Sequence, residues 1–503
     1  MTTLARGPAA VLAVAAALFF VGLDAYDLDT KGEPREGVTA WEMIHTGDWM
    51  LPRLNAELLP EKPPVFPWLV ALSTLALGEG GELAPRLPSA IAGCGLVLVV
   101  FFLGRRLQGD GVRPAVVCAS MALVIGLARR ARVDMTLTFF VTLALLQFLR
   151  ALERPRATTI GFFWAALAAA TLTKGPMGAL LPLLAGGTHL LLRGRLREAR
   201  LFLPMAWVLV LGGGWWYAAG LLREGDAFGY RSFMKDNFLM FFGARGGGEH
   251  VHGTLYFVPY VPLHTAPWCL YLPVALWYAW QRRDEDASRF PLAWLGSFFV
   301  FFSLARGKRP DYLLPLMPAF ALVIARLWRE GETRWLRDSS VLGAVAGVLG
   351  LIALPFAGRR IPFELPPLLV AGAACVTVSP SLLLALGRRR AAFAAIAGGM
   401  VLIASSVAVS VMPRVQSTRS FVEDVARIAS TAPLVQRGVI DYTTVYYLGR
   451  RIPTVERAEL ERTLATGGFA IVSHAEWRSL PAPLRDQVAA VASDRILVGR
   501  TRP

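Results

Sequence analysis

Two short basic runs stand out between long apolar stretches, Arg129-Arg130-Ala131-Arg132 and Arg306-Gly307-Lys308-Arg309. An aspartate follows each closely, Asp134 and Asp311. Cations gathered in this way suit an anionic group such as a phosphate, and a carboxylate beside them can take a proton from a hydroxyl. These are the parts that transfer of a sugar from a lipid phosphate requires: the carboxylate deprotonates the acceptor, and the cations stabilise the departing phosphate. Plainer readings of the same residues are contact with lipid headgroups and pairing among themselves, Arg132 with Asp134 foremost. Residues 24–64 add acids, among them Asp29, Glu33 and Glu61, interleaved with Lys31, Arg35, Arg53 and Lys62. Trp41, Trp49 and the prolines of that stretch predict a folded cap at a membrane interface. His250 and His252 follow a glycine triplet and are candidate ligands, but no established metal-ligand spacing accompanies them, so no metal and no cofactor is expected.

These groups need a scaffold, and composition says which kind. Of 503 residues 55% are apolar and 17% charged, with a mean hydropathy of +0.48. A water-soluble domain carries about 25% charged residues, so the chain reads as an all-α polytopic membrane protein. Thirteen apolar runs of helical length fall between residues 8 and 412. The first, 8–23, lacks an A-x-A-like cleavage site and reads as a retained helix. With the amino terminus inside, the inside loops carry clusters such as Arg105, Arg106 and Arg113; Arg326, Arg329, Arg334 and Arg337; and Arg388, Arg389 and Arg390. That obeys the tendency of positive charge to stay in the cytoplasm. The chain has 47 arginines and only five lysines, Lys31, Lys62, Lys174, Lys235 and Lys308. On this topology all five lysines and both basic runs lie outside, against the tendency.

Residues 65–77 follow Pro63-Pro64 and read as an interfacial or re-entrant helix, because counting them as a span would invert every later loop. Beyond Met412, helix-like stretches alternate with β-type runs at 434–440, 469–473 and 495–498, predicting a small α/β domain on the outer face. The net charge of +16 resides in loop clusters without a nucleic-acid motif, so nucleic acid is excluded as a partner. Cys94, Cys118, Cys269 and Cys375 lie in apolar runs with no CxxC spacing, which argues against disulfides and structural zinc.

The run from Trp41 to Asn55, WEMIHTGDWMLPRLN, followed by Glu61-Lys62-Pro63-Pro64 and Trp68-Leu69, resembles the first outer loop of the aminoarabinose lipid A transferases. Those enzymes form part of the wider protein O-mannosyltransferase-like group of integral membrane GT-C glycosyltransferases. Further pieces fall in the family's order: Arg132-Val133-Asp134, Thr173-Lys174-Gly175-Pro176, His252 (or His250) ahead of Pro267-Trp268, Lys308 to Tyr312, and Tyr446 to Arg450. The resemblance implies a GT-C fold and transfer of a sugar from a polyprenyl-phosphate-linked donor to a lipid, glycan or protein acceptor. It implies the bacterial cytoplasmic membrane as location, with membrane lipids around the chain and the site facing the periplasm. It implies Arg35, Lys62, Lys308, Arg309 and Tyr312 as donor-phosphate ligands, and Glu61, Lys174, His250 and His252 as residues of the substrate cavity. The family opens this loop with Asp-Glu and an arginine two residues later; here the stretch is Gly32-Glu33-Pro34-Arg35. Glu33 is the first candidate for the catalytic base, followed by Asp29 and Asp134.

The expected organisation is a transmembrane catalytic domain over 1–412, capped by 24–64, and an outer α/β domain over 413–503. A transporter or flippase of lipid-linked sugars would also need cations, but it requires charges deep in the spans or paired broken helices, whereas here the charges cluster at the outer ends. An inactive GT-C scaffold is the reading that Gly32 encourages.

Overall fold

The structure is a computed structural model and describes residues 2–28, 32–55, 57–58, 62–230, 232, 252–357, 366–415, 418–492 and 494–499. Two compact units divide the chain: Met1–Val21, Glu61–Val65 and Ser89–Ser410 in one, Gly22–Pro60, Phe66–Pro88 and Val411–Pro503 in the other. The first long loop thus groups with the tail.

Among the described residues six helices are long and apolar enough to cross a bilayer: Leu83–Gln108, Val133–Glu153, Asp286–Leu304, Pro310–Glu330, Pro367–Ala385 and Arg389–Val415. A seventh results if Leu196–Met205 and Trp207–Asp226, bent by 59°, form one broken span. Other apolar runs form single helices, such as Thr333–Ala357, Ala157–Lys174 and Thr2–Phe20, and some are broken at proline. The run at 255–280 separates into Thr254–Phe257, Tyr260–Thr265, Trp268–Tyr271 and Leu272–Gln281. Pro259, Pro267 and Pro273 each fall at the start of a new piece, where a missing N–H leaves no bond unmade. Val65–Leu77 is a helix with the bounds its composition predicts.

In the first unit Val133–Glu153 and Ala157–Lys174 reverse over three residues into an antiparallel pair, and Met177–Leu192 follows. The second reversal depends on glycine twice. Gly175 has φ +86°, which a side chain would strain, and a Cβ on Gly178 would lie 2.3 Å from the Ala170 backbone. The Thr173-Lys174-Gly175-Pro176 motif is this turn, and it leaves Lys174 in the last turn of its helix. Asp134 is in the first turn of the neighbouring helix, so the antiparallel pairing brings both to one end. Each charge also has the sign its helix terminus favours.

In the second unit, Leu434–Arg437 (β3), Phe469–Ser473 (β4), Val488–Val491 (β5) and Arg495–Val498 (β6) form a sheet in the order β3-β4-β6-β5; β1 and β2 are the short hairpin Arg53–Leu54 and Glu57–Leu58. β3 and β4 are parallel and the other pairs antiparallel. Strand alternation divides the apolar residues between two faces. Phe469, Ile471 and Leu497 join Leu28, Val38 and Leu54 of the loop with Phe421 and Val445 of the tail, while Ala470, Val472 and Ile496 pack with Leu460 and Leu464. Loop and tail therefore share one core, and neither buries its apolar residues alone.

Candidate active site

The end shared by the antiparallel helices holds a charged cluster in the first unit. Lys174 Nζ donates to Asp134 Oδ1 at 2.5 Å, and Arg132 Nε lies 3.6 Å from Asp134 Oδ2. Arg132 also reaches across to Asp311, its Nη2 donating to Oδ2 at 3.3 Å. Lys174 Nζ sits 4.6 Å from the centroid of the Tyr312 ring, within cation–π range. Lys62 is within electrostatic reach of Asp134. Asp134 is 5% exposed, and a carboxylate so buried remains charged only because cations surround it. Four stretches distant in sequence thus converge here: Lys62, Arg132 with Asp134, Lys174, and Asp311 with Tyr312. The residues can exchange partners, since an arriving phosphate competes with both aspartates for the same cations.

The second basic run is engaged differently. Lys308 is buried, and its Nζ donates to the carbonyls of His252, at 3.0 Å, and Ala305. Burial pushes its ammonium below the usual lysine pKa. The His252 N–H donates to Arg306 O at 3.1 Å, and its ring stacks on Tyr256 with centroids 4.1 Å apart. Arg309, half-buried, precedes the first turn of Pro310–Leu316. Asp29, Glu61 and His250 lie outside the described residues.

Glu33 and Arg35 belong to the second unit, on helix Glu33–Thr46. Both Glu33 oxygens bond Arg86: Nε donates to Oε1 at 2.9 Å and Nη2 to Oε2 at 2.8 Å. The remaining Arg86 donors go to the carbonyls of Leu23, Tyr26 and Asp27 at 2.8–2.9 Å, so all five N–H groups are used. Arg35 is half-buried one turn before Thr39, whose hydroxyl donates to its carbonyl at 2.8 Å.

Further pairings in this unit join loop to tail, and sequence reasoning missed them. Buried Glu42 receives Arg451 through Nε and Nη2 at 3.1 and 3.2 Å. Asp27 Oδ2 accepts the N–H groups of Thr418 and Arg419 at 2.7 and 2.9 Å, at the start of helix Arg419–Ala429. Asn55, at φ +53°, brackets Ile452, donating to its O at 2.6 Å and accepting from its N at 3.0 Å. Tyr447 donates to Glu82 at 3.0 Å and accepts from the Leu28 N–H at 3.1 Å; burial pushes its phenol pKa up, so it keeps its proton. Tyr446 packs where a Cβ on Gly37 would stand 2.5 Å from its ring. The only advance signal was the acid-rich helix itself, since buried carboxylates need partners. Among the described residues no three His, Cys, Asp or Glu are grouped to hold a metal.

The family model for dolichyl-phosphate-mannose-protein mannosyltransferases matches residues 61–216, which include Lys62, Asp134 and Lys174. The undecaprenyl phosphate-alpha-4-amino-4-deoxy-L-arabinose arabinosyl transferase 1 of Pseudomonas fluorescens is 30% identical over 371 residues, covering 70% of this chain and 66% of that protein. The corresponding transferase of Pectobacterium atrosepticum is 31% identical over 356 residues, covering 68% and 63%. The matched part therefore falls just short of two thirds of these relatives' own length. In three dimensions, ArnT from Cupriavidus metallidurans bound to undecaprenyl phosphate has a TM-score of 0.77 at 23% identity, covering 97% of both chains. The Archaeoglobus fulgidus oligosaccharyltransferase in the apo form has a TM-score of 0.54 at 11% identity, covering 93% of this chain and 69% of that one.

The chain is a multi-pass membrane protein with the GT-C type of fold and a small carboxyl-terminal sheet. Within that class it is aminoarabinose lipid A transferase-like, in the wider protein mannosyltransferase-like group.

Proposed function

We propose that this protein is a glycosyltransferase that takes a sugar from a polyprenyl-phosphate donor and passes it to a lipid, glycan or protein acceptor at the outer face of the bacterial cytoplasmic membrane. The observation that carries the reading is the convergence of Lys62, Arg132 and Lys174 on buried Asp134, with the Tyr312 ring beside Lys174. The names of the relatives, which specify an undecaprenyl-phosphate-linked aminoarabinose, and the undecaprenyl phosphate bound by the Cupriavidus protein support the donor class.

In this mechanism the donor phosphate draws Lys174 and Arg132 away from the aspartates. As the bond between the anomeric carbon and the phosphate oxygen breaks, charge gathers on the phosphate, and Lys174, Arg132 and Lys62 stabilise it more than they stabilise the intact donor. Asp134, relieved of part of its cation partnership, accepts the proton of the acceptor hydroxyl that attacks from the opposite side, and the anomeric configuration inverts. Glu33, with both oxygens on Arg86, serves as a strut of the second unit. Arg309 and Tyr312 extend the donor-phosphate site, and Lys308 holds its turn through backbone carbonyls. Mass spectrometry of envelope lipids and glycans from a deletion strain tests the proposal: the lost mass names the sugar, and the molecule losing it names the acceptor. An unchanged envelope, with no transfer by the purified protein from undecaprenyl-phosphate sugar, overturns it.

A further inference from the structure

The sequence carries three arginine-rich loops that the transfer site does not use, and three of their segments meet around one cavity in the first unit. It measures about 740 Å3 and is bordered by Asp110 to Arg113, Trp328 with Arg329, and the stretch from Gly387 to Phe393. That volume is in the range of small-molecule sites. The cavity lies far from the Asp134 cluster. Ser89, whose hydroxyl donates to Arg132 O at 3.1 Å, is near the start of helix Leu83–Gln108, and Asp110 is two residues past its end. Likewise Asp311 and Tyr312 open Pro310–Glu330, and Trp328 and Arg329 close it. At 1.5 Å per residue the two sites are separated by roughly 30 Å, the thickness of a bilayer core, and lie at opposite ends of the same spans.

The charge of this cavity is one-sided. Five arginines and one aspartate border it, and Asp110 is already paired with Arg113. Arg389 is committed to structure, its Nη atoms donating to Leu327 O at 2.7 Å and Gly331 O at 2.9 Å. Among the described residues Arg329, Arg388 and Arg390 make no side-chain hydrogen bond or ion pair and are exposed. Three unpaired guanidiniums around one hollow repel each other until an anion joins them. The rest of the lining is largely apolar: the Trp328 and Phe393 rings pack with centroids 5.5 Å apart, and Val112 and Ala391 border the cavity with them. A small hydrated ion would gain nothing from that lining, whereas an amphiphile uses both parts.

We infer that this cavity binds the phosphate headgroup of an anionic phospholipid, with Arg329, Arg388 and Arg390 on the phosphate and Val112, Ala391 and Phe393 against the glycerol and first methylenes. Guanidinium groups match phosphate oxygens in pairs, and basic pockets between membrane helices suit such headgroups. The site is independent of the transfer reaction proposed above and lies at the other membrane face.

The test is native mass spectrometry of the delipidated protein in detergent, titrated separately with phosphatidylglycerol, phosphatidylethanolamine and inorganic phosphate. The expected result is one tight phosphatidylglycerol site, with phosphatidylethanolamine binding more weakly. With about fivefold per arginine, R329Q/R388Q/R390Q weakens that site about a hundredfold. R334Q/R337Q, a basic pair outside the cavity, leaves it unchanged. The single variant R390Q, which removes an exposed and unbonded side chain, gives about a fivefold loss and serves should the triple variant fold poorly. Equal binding of the two lipids, an undiminished site in R390Q and the triple variant, or binding of inorganic phosphate without phosphatidylglycerol overturns the inference.

Discussion

Replacing Glu33 with glutamine separates a catalytic base from a strut, because the two roles predict opposite pairs of results. Arg86 is fully buried and directs two of its five N–H groups at the Glu33 oxygens. In Glu33→Gln one oxygen remains to accept a bond. The other becomes an NH2 facing a guanidinium N–H, so one bond is lost, two donors oppose each other, and the buried cation keeps only carbonyl partners. Breaking a buried pair from one side costs about 3–5 kcal/mol, and the isosteric shape places this case toward the lower figure. The expected outcome is a loss of about 3 kcal/mol in equilibrium unfolding in mixed detergent, with a kcat within about tenfold of the parent at a temperature where the variant stays folded. Removing the cation as well, in Glu33→Gln/Arg86→Met, returns part of the lost stability, since the uncompensated charge is gone. A Glu33→Gln protein that unfolds like the parent yet has lost about a thousandfold or more in kcat would refute this reasoning and make Glu33 the base.

Lys174→Met removes the cation nearest Asp134 and should lower kcat by about a hundred- to a thousandfold, the loss for one preorganised charge, with KM for the donor changing much less; a rise in KM alone would assign Lys174 to ground-state binding. Lys308→Met strips the partner from the buried Ala305 carbonyl and from the less buried His252 carbonyl and should cost about 1–3 kcal/mol of stability with a smaller effect on kcat than Lys174→Met, as read by unfolding and turnover in parallel. Asn55→Ala removes both bonds to the Ile452 backbone and should destabilise by about 1–3 kcal/mol; unfolding equal to the parent would mean that the loop does not depend on that bracket. Single cysteines at the exposed positions Arg478 and Arg195 test topology. The first should react with a membrane-impermeant thiol reagent in intact cells, and the second only after permeabilisation; the reverse pattern would overturn the assignment of sides.

The parts of this protein legible in its sequence are those whose geometry is local. Asp134 and Lys174 are 40 residues apart, but a helix, a three-residue reversal and a second helix of similar length must return the chain to its starting level. A carboxylate in the first turn and a lysine in the last turn then meet. The turn at 173–176 carried its own evidence in glycine and proline. Other apolar runs misled because hydropathy records transfer from water and is blind to prolines, which cut 255–280 into four helical pieces. The second unit was illegible for another reason. Glu42 finds Arg451, Asp27 finds the start of helix Arg419–Ala429, and Asn55 finds Ile452 across nearly 400 residues, and no period or spacing encodes such a pairing. What the sequence does carry is the cost: acids on a helix that buries one side must be hydrated or paired. Buried acids in loop one require distant cations, and Arg86 and Arg451 are the ones that serve Glu33 and Glu42. Glu33 shows the consequence. Family position points to Glu33 as the base, whereas Arg86 directs a donor at each of its oxygens, which is why the proposal gives the proton to Asp134.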